Sequence, residues 1–192
     1  MIIIRTNASS SSGIGHLARC RRLGLSLKDQ GLKVFFVLDY VNEYLNEYLE
    51  GFKFTGLYSA NESFQNEEDD ALRLLVCLTN KDVIAIIVDD YRFSDIWERS
   101  IAQLGCKVIV LDDQDKSNHE CHLLIDSTWE GEKTLKRYEN KVLNNAPCLL
   151  GPKYLLIDEG FGLAKKLSHK SFKKNKQLKI LLSDSPFTRH GA

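Results

Sequence analysis

The stretch Gly13-Ile14-Gly15-His16 is the first place where residue types and spacing could do chemistry. Two glycines let a chain turn tightly between a strand and a helix. A helix starting there aims free N–H groups and its positive dipole end at the loop, which favours a phosphate or a developing negative charge. His16 stands at that helix start. It is either a general base, for which an imidazole suits neutral pH, or a residue that caps the helix. The spacing is not the dinucleotide fingerprint GxGxxG, because Ala18 occupies the third glycine position. A second group is Asp89-Asp90-Tyr91, directly after an apolar run. It reads as a phenol set over the same crevice as His16, or as an acidic capping loop with a packed tyrosine. A third, Asp112-Asp113, could orient an imidazole or bind a ligand hydroxyl, or could simply cap a helix. The run His119-Glu120-Cys121-His122 has metal-ligand residue types. Adjacent residues rarely converge on one ion, and no second cluster follows at zinc spacing, so it reads as a loop entering a strand.

Short apolar runs alternating with helical patterns would position these groups. Strands are expected at Ile2–Arg5, Lys33–Leu38, Phe54–Leu57, Val83–Val88, Lys107–Leu111 and Leu123–Asp126. Helices are expected at about Leu17–Gln30, with Gly31 as C-cap, and at Asn42–Glu50, Glu67–Thr79 and Asp95–Leu104. Continuous apolar strands separated by helices imply a parallel sheet buried on both faces, a doubly wound, Rossmann-like α/β domain with right-handed crossovers. Ligands in such sheets sit beyond the carboxyl ends of the strands. Ser9–His16, Asp89–Tyr91 and Asp112–Asp113 all follow strand ends.

Bulk properties narrow the class. The 192 residues are 43% hydrophobic and 27% charged, the balance of a globular chain. Zero formal net charge argues against a nucleic-acid partner, since phosphate binding favours a basic surface. No run approaches the roughly 18 apolar residues of a membrane span, and the start lacks the basic region of a signal peptide. Cys20, Cys77, Cys106, Cys121 and Cys148 are odd in number and form no CxxC, which fits reduced thiols in the cytoplasm.

The opening Arg5-Thr6-Asn7-Ala8-Ser9, then Gly13-Ile14-Gly15-His16 and Arg19, resembles the opening of the hydrolases of pseudaminic-acid biosynthesis. These are the UDP-2,4-diacetamido-2,4,6-trideoxy-β-L-altropyranose hydrolases. The likeness continues in Val88-Asp89-Asp90-Tyr91, in Val108–Asp113 and in Gly151–Ile157. It implies the N-terminal half of a GT-B-type two-domain fold with the active site between the domains. It implies hydrolysis of the anomeric C–O bond of a UDP-sugar, with inversion at C1 and release of UDP, and with no metal or other cofactor. On this likeness His16 is the base and Tyr91 lines the sugar site, while Gly13, Ile14, Gly15, Arg19, Asp90 and Asp113 contact substrate.

Two positions depart from the family pattern: Asn7 stands where it usually has Asp, and Asp158 where it usually has Arg. Residues 1–162 read as the catalytic domain. A linker at 163–177 follows; Lys165, Lys166, Lys170, Lys173, Lys174 and Lys176 fall in it. Leu178–Leu182 then reads as the first strand of a UDP-binding domain that is otherwise missing or supplied by a separate partner. The expectation is therefore a chain that hydrolyses its substrate poorly by itself. The other readings are half of a GT-B glycosyltransferase, or a non-catalytic subunit that needs a UDP-binding partner.

Overall fold

A computed structural model describes residues 1–8 and 14–156. It contains a seven-stranded, all-parallel sheet: β1 (Ile2–Thr6), β2 (Val34–Leu38), β3 (Lys53–Gly56), β4 (Ala85–Asp89), β5 (Lys107–Leu111), β6 (Leu123–Asp126) and β7 (Cys148–Leu150). The spatial order is β3-β2-β1-β4-β5-β6-β7. The chain moves outward from β1 to β3 and then returns to lay β4 on the other side of β1. The switch point, where ligands bind in open α/β sheets, therefore lies between the ends of β1 and β4.

Four helices cover the sheet: α1 (Gly15–Asp29), α2 (Glu43–Tyr48), α3 (Glu67–Cys77) and α4 (Asp95–Ala102). Local chemistry sets their starts. Asn42, Asn66 and Ser94 accept hydrogen bonds from the backbone N–H of Leu45, Asp69 and Ile96 at the heads of α2, α3 and α4. Gly31, at φ 81°, takes the left-handed turn that ends α1. Strand alternation sorts the core into two layers. Ile3, Val37, Ile86, Val88, Val108 and Val110 pack with Leu74 of α3 and Trp97 and Ile101 of α4. Ile2, Ile4, Phe36, Ile87 and Leu111 pack with Leu17 and Cys20 of α1.

Three details differ from the sequence expectation. Helix α1 begins at Gly15 rather than near Leu17, because Ala18 N–H already donates to Ile14 C=O at 2.8 Å. His16 thereby stands inside the first turn. No α-helix separates β5, β6 and β7; a 3-10 turn at Lys133–Lys136 lies between the last two. The strand β7 was not expected, and it is only three residues long and takes its form from pairing with β6. The linker at 163–177 and the strand Leu178–Leu182 lie outside the described residues.

Gly24 fixes how closely α1 meets the sheet. A Cβ there would stand 3.1 Å from a ring carbon of Phe52 and 3.2 Å from one of Phe36. These two buried rings already meet edge to face at 5.0 Å. Gly24→Val is expected to lower stability by about 1–3 kcal/mol through overpacking. The thermal midpoint checks this, and an unchanged midpoint would mean that the Phe52 ring swings aside freely.

Candidate active site

Helix periodicity brings His16, Arg19 and Cys20 to one side of the first turns of α1, three and four residues apart. All three converge on one carboxylate, Asp89, the last residue of β4. His16 Nδ1 lies 2.5 Å from Asp89 Oδ1. Arg19 donates to both oxygens, from Nη2 to Oδ1 and from Nε to Oδ2, each at 2.5 Å. Cys20 Sγ donates to Oδ2 at 3.3 Å. Arg19 then reaches Asp113 with Nη1 at 2.7 Å. Asp113 also accepts the hydroxyl proton of Tyr91. The Tyr91 ring closes the circuit by meeting the His16 imidazole edge-on, with centroids 4.5 Å apart.

The electrostatics follow from this geometry. Burial would raise the Asp89 carboxyl, but the hydrogen bonds from Arg19 and His16 outweigh it and hold the group below its ordinary range. An ionised carboxylate can only accept, so His16 carries a proton on Nδ1, and its Nε2 is the ring nitrogen not turned to Asp89. Burial works against the Arg19 cation, and Asp89 and Asp113 more than offset it. Burial and the bond to Asp113 push the Tyr91 phenol well above its ordinary value. Tyr91 is therefore a hydrogen-bond donor at neutral pH and not a base. Tyr91 remains 37% exposed. A cavity of about 150 Å³ adjoins Arg19, lined also by Arg22, Leu111, Ile125, Ser127 and Tyr154.

The structure thus brings His16, Arg19, Tyr91 and Asp113 together. Ile14 packs against the α1-side core. A Cβ at Gly15 would meet nothing. Gly13 and Asp158 lie outside the described residues. Asp90 points away from His16: its carboxylate accepts from Arg92 at 2.9 and 2.5 Å, and Arg92 continues to Asp39. Asp112, expected to open on the same edge as Tyr91, turns inward. It accepts the backbone N–H groups of Gln114 and Asp115 at 3.0 and 3.1 Å and faces His119.

Sequence reasoning named Asp89 only as part of the group Asp89-Asp90-Tyr91, with no role of its own, and did not single out Cys20. For Asp89 the available signal was its place as the last residue of the most apolar strand. The run His119–His122 is held within the domain fold. His119 and Cys121 are buried, and His122 Nδ1 accepts the Val108 N–H at 3.1 Å. Among the described residues, no three His, Cys, Asp or Glu side chains are grouped to hold a metal ion. Nor is any described helix long and apolar enough to cross a membrane.

No family model matches the chain. It is similar to the uncharacterized protein MJ1062 of Methanocaldococcus jannaschii, with 27% identity over 187 residues. That alignment covers 94% of this chain and 35% of the archaeal protein, so the chain spans about a third of the length of this curated relative.

Proposed function

We propose that this chain is the base-bearing domain of a nucleotide-sugar hydrolase acting on a UDP-2,4-diacetamido-2,4,6-trideoxy-altropyranose. One observation carries the reading: at the sheet's switch point His16 is oriented by Asp89 through Nδ1, which assigns the role of base to Nε2. The resemblance of Gly13–Arg19 and Val88–Tyr91 to the pseudaminic-acid pathway hydrolases supplies the substrate class.

In this scheme His16 Nε2 takes a proton from water as the water oxygen bonds to C1. The C1–O bond to the diphosphate breaks on the opposite face, and its electron pair leaves with UDP. Attack opposite the leaving group inverts C1, and the transition state has oxocarbenium character as in inverting glycosidases. The imidazolium formed at His16 is stabilised by the Asp89 carboxylate behind it. Tyr91 packs edge to face with the base and sets a hydroxyl beside it, and Arg19 and Asp113 hold both partners in place. UDP itself is to be held by a second domain, whether further along the polypeptide or on a partner.

The test is UDP release from the sugar nucleotide with no acceptor present, in ¹⁸O water, following the first-formed anomer by NMR. Release of UDP with ¹⁸O at inverted C1 is the expected result. Release that requires a sugar acceptor would replace hydrolysis by glycosyl transfer, and no release in the presence of the UDP-binding domain would reject the reading. In the active assembly Tyr91→Phe keeps the ring against His16 and loses one hydrogen bond, usually about 0.5–1.5 kcal/mol. Turnover is expected to fall about tenfold or less, and a loss beyond about a hundredfold would give the hydroxyl a direct part in the chemistry.

A further inference from the structure

The cluster around His119 plays no part in the reaction above, yet it reaches the site through one turn of chain. His119 is 3% exposed, with Nδ1 2.6 Å from Glu98 Oε1 of α4 and Nε2 3.4 Å from Asp112 Oδ2. Glu98 and Asp112 are buried too. Each ring nitrogen faces a carboxylate, so the ring is best satisfied carrying both protons. Burial opposes that charge, and the bonds to Asp112 and Glu98 outweigh it, lifting His119 to about 9. The Asp112 carboxyl, which burial would raise, is held at about 2 by His119 and the Gln114 N–H.

Asp112 in turn shapes the chain that follows. Its two oxygens accept the N–H groups of Gln114 and Asp115, and Oδ2 also accepts from Tyr138 Oη at 3.1 Å. Asp115 takes a left-handed φ of 51° to close the turn. Asp113 rides on this turn, its carbonyl held from the far side by Arg137 Nη2 at 2.8 Å. The Asp113 carboxylate is what joins Arg19 to Tyr91.

We propose that His119 is a positioning residue: as the cation between Glu98 and Asp112, it keeps Asp112 closed on the 112–115 turn and so aims Asp113 at Arg19 and Tyr91. The consequence for catalysis rests on the hydrolase reading; the structural coupling does not. Without the cation, two buried carboxylates share a neutral neighbour, and one must take a proton or move toward water. A protonated Asp112 gives up acceptor capacity, and the turn loses a backbone partner.

The charge on His119 has a signature in pH. The groups facing it are Glu98 from α4, Asp112 from the end of β5, and Tyr138 with Asp126 beyond it. Glu120 and Cys121 adjoin it on its own segment, and Asp90 and Lys116 line the same small void. Burial pushes Cys121 up to about 12 and the Tyr138 phenol far above its usual range, so both titrate after His119. A folded-state value raised from 6.5 to about 9 gives stability that is complete below about pH 6.5 and is lost as pH rises through about 9. The stability gap between wild type and His119→Gln should therefore narrow steadily from pH 6.5 to pH 10. A gap that stays constant would overturn the imidazolium assignment.

The direct test is NMR of the Arg19 guanidinium in the 192-residue chain. In the wild type, clamped by Asp89 and Asp113, its Nη protons should give separate signals. In a His119→Gln chain with native amide dispersion the two Nη1 protons, which Asp113 holds, should merge into an averaged signal, as they should in Asp113→Asn, while Nε and Nη2 stay on Asp89. Separate Nη1 signals retained in folded His119→Gln would overturn the proposal. Should that variant fail to fold, Asp112→Asn, which keeps the His119–Glu98 pair, carries the same expectation and is overturned in the same way. In the active assembly, misplacing Asp113 should lower kcat on the order of 100-fold with little change in KM. Averaged Arg19 signals with undiminished UDP release would support the coupling and reject the hydrolase reading of this site.

Discussion

His16→Asn is expected to abolish turnover in the active assembly, lowering it by about 100- to 10,000-fold, while the domain stays folded. Asparagine can still donate from its side-chain nitrogen to Asp89, so the hydrogen bond that orients position 16 has a substitute. It has nothing at the Nε2 position that can take a proton. The base is lost with little change in packing, because the His16 side chain is partly open and its ring meets Tyr91 edge to face. The measurement is UDP release by wild type and variant, with circular dichroism to confirm the fold. A variant within threefold of wild type would make His16 a residue that organises the start of α1, and another base would have to be found.

The largest loss of stability is expected from Asp70→Ala. Arg5, on β1, is fully buried and donates to Asp70 at 3.2 and 2.5 Å, to Asp39 at 2.5 Å and to the Thr6 carbonyl at 3.1 Å. Asp70 also accepts from Tyr58 Oη and Trp97 Nε1, each at 3.0 Å. The chain of charges runs Asp70–Arg5–Asp39–Arg92–Asp90, alternating in sign along the ends of β1, β2 and β4. Removing one partner of a buried ion pair costs about 3–5 kcal/mol. Two further buried donors lose their acceptor in the same substitution. Against a typical total of about 5–15 kcal/mol, that takes a large part of the domain's stability. Urea denaturation checks this, with a fall in midpoint of about 1–3 M for a typical slope. A fall under about 0.5 M would mean that water reaches Arg5. The paired variant Arg5→Leu with Asp70→Leu should lose less than Asp70→Ala, because no charge is left unpaired.

Much of the frame could be read along the chain. Four helices and six strands stand close to their expected places, because each is a run with its own period, bounded by Asn42, Asn66, Ser94 or Gly31. Strand β7 could not be read so, since three residues after Pro147 carry no period and their strand form depends on β6. The Gly13–His16 loop and the acidic pairs Asp89-Asp90 and Asp112-Asp113 also stood out in the sequence as candidates, on the carboxyl edge of the sheet.

Which member of each acidic pair belongs to the site was decided by tertiary structure. Side chains alternate across a strand, and the alternation carries on through the strand ends. Ala85 and Ile87 face α1, and Asp89 follows them toward His16 and Arg19. Ile86 and Val88 face α3 and α4, and Asp90 follows them toward Arg92 and Asp39. On β5, Leu111 faces α1 and Asp113 follows it to Arg19, whereas Val110 faces the other layer and Asp112 follows it to His119. The sequence by itself determined that two carboxylates stand side by side at the ends of β4 and β5. It could not say which layer each would enter, because the face that α1 covers depends on how the chain crosses the sheet, and that crossing exists only once β4 has been laid against β1.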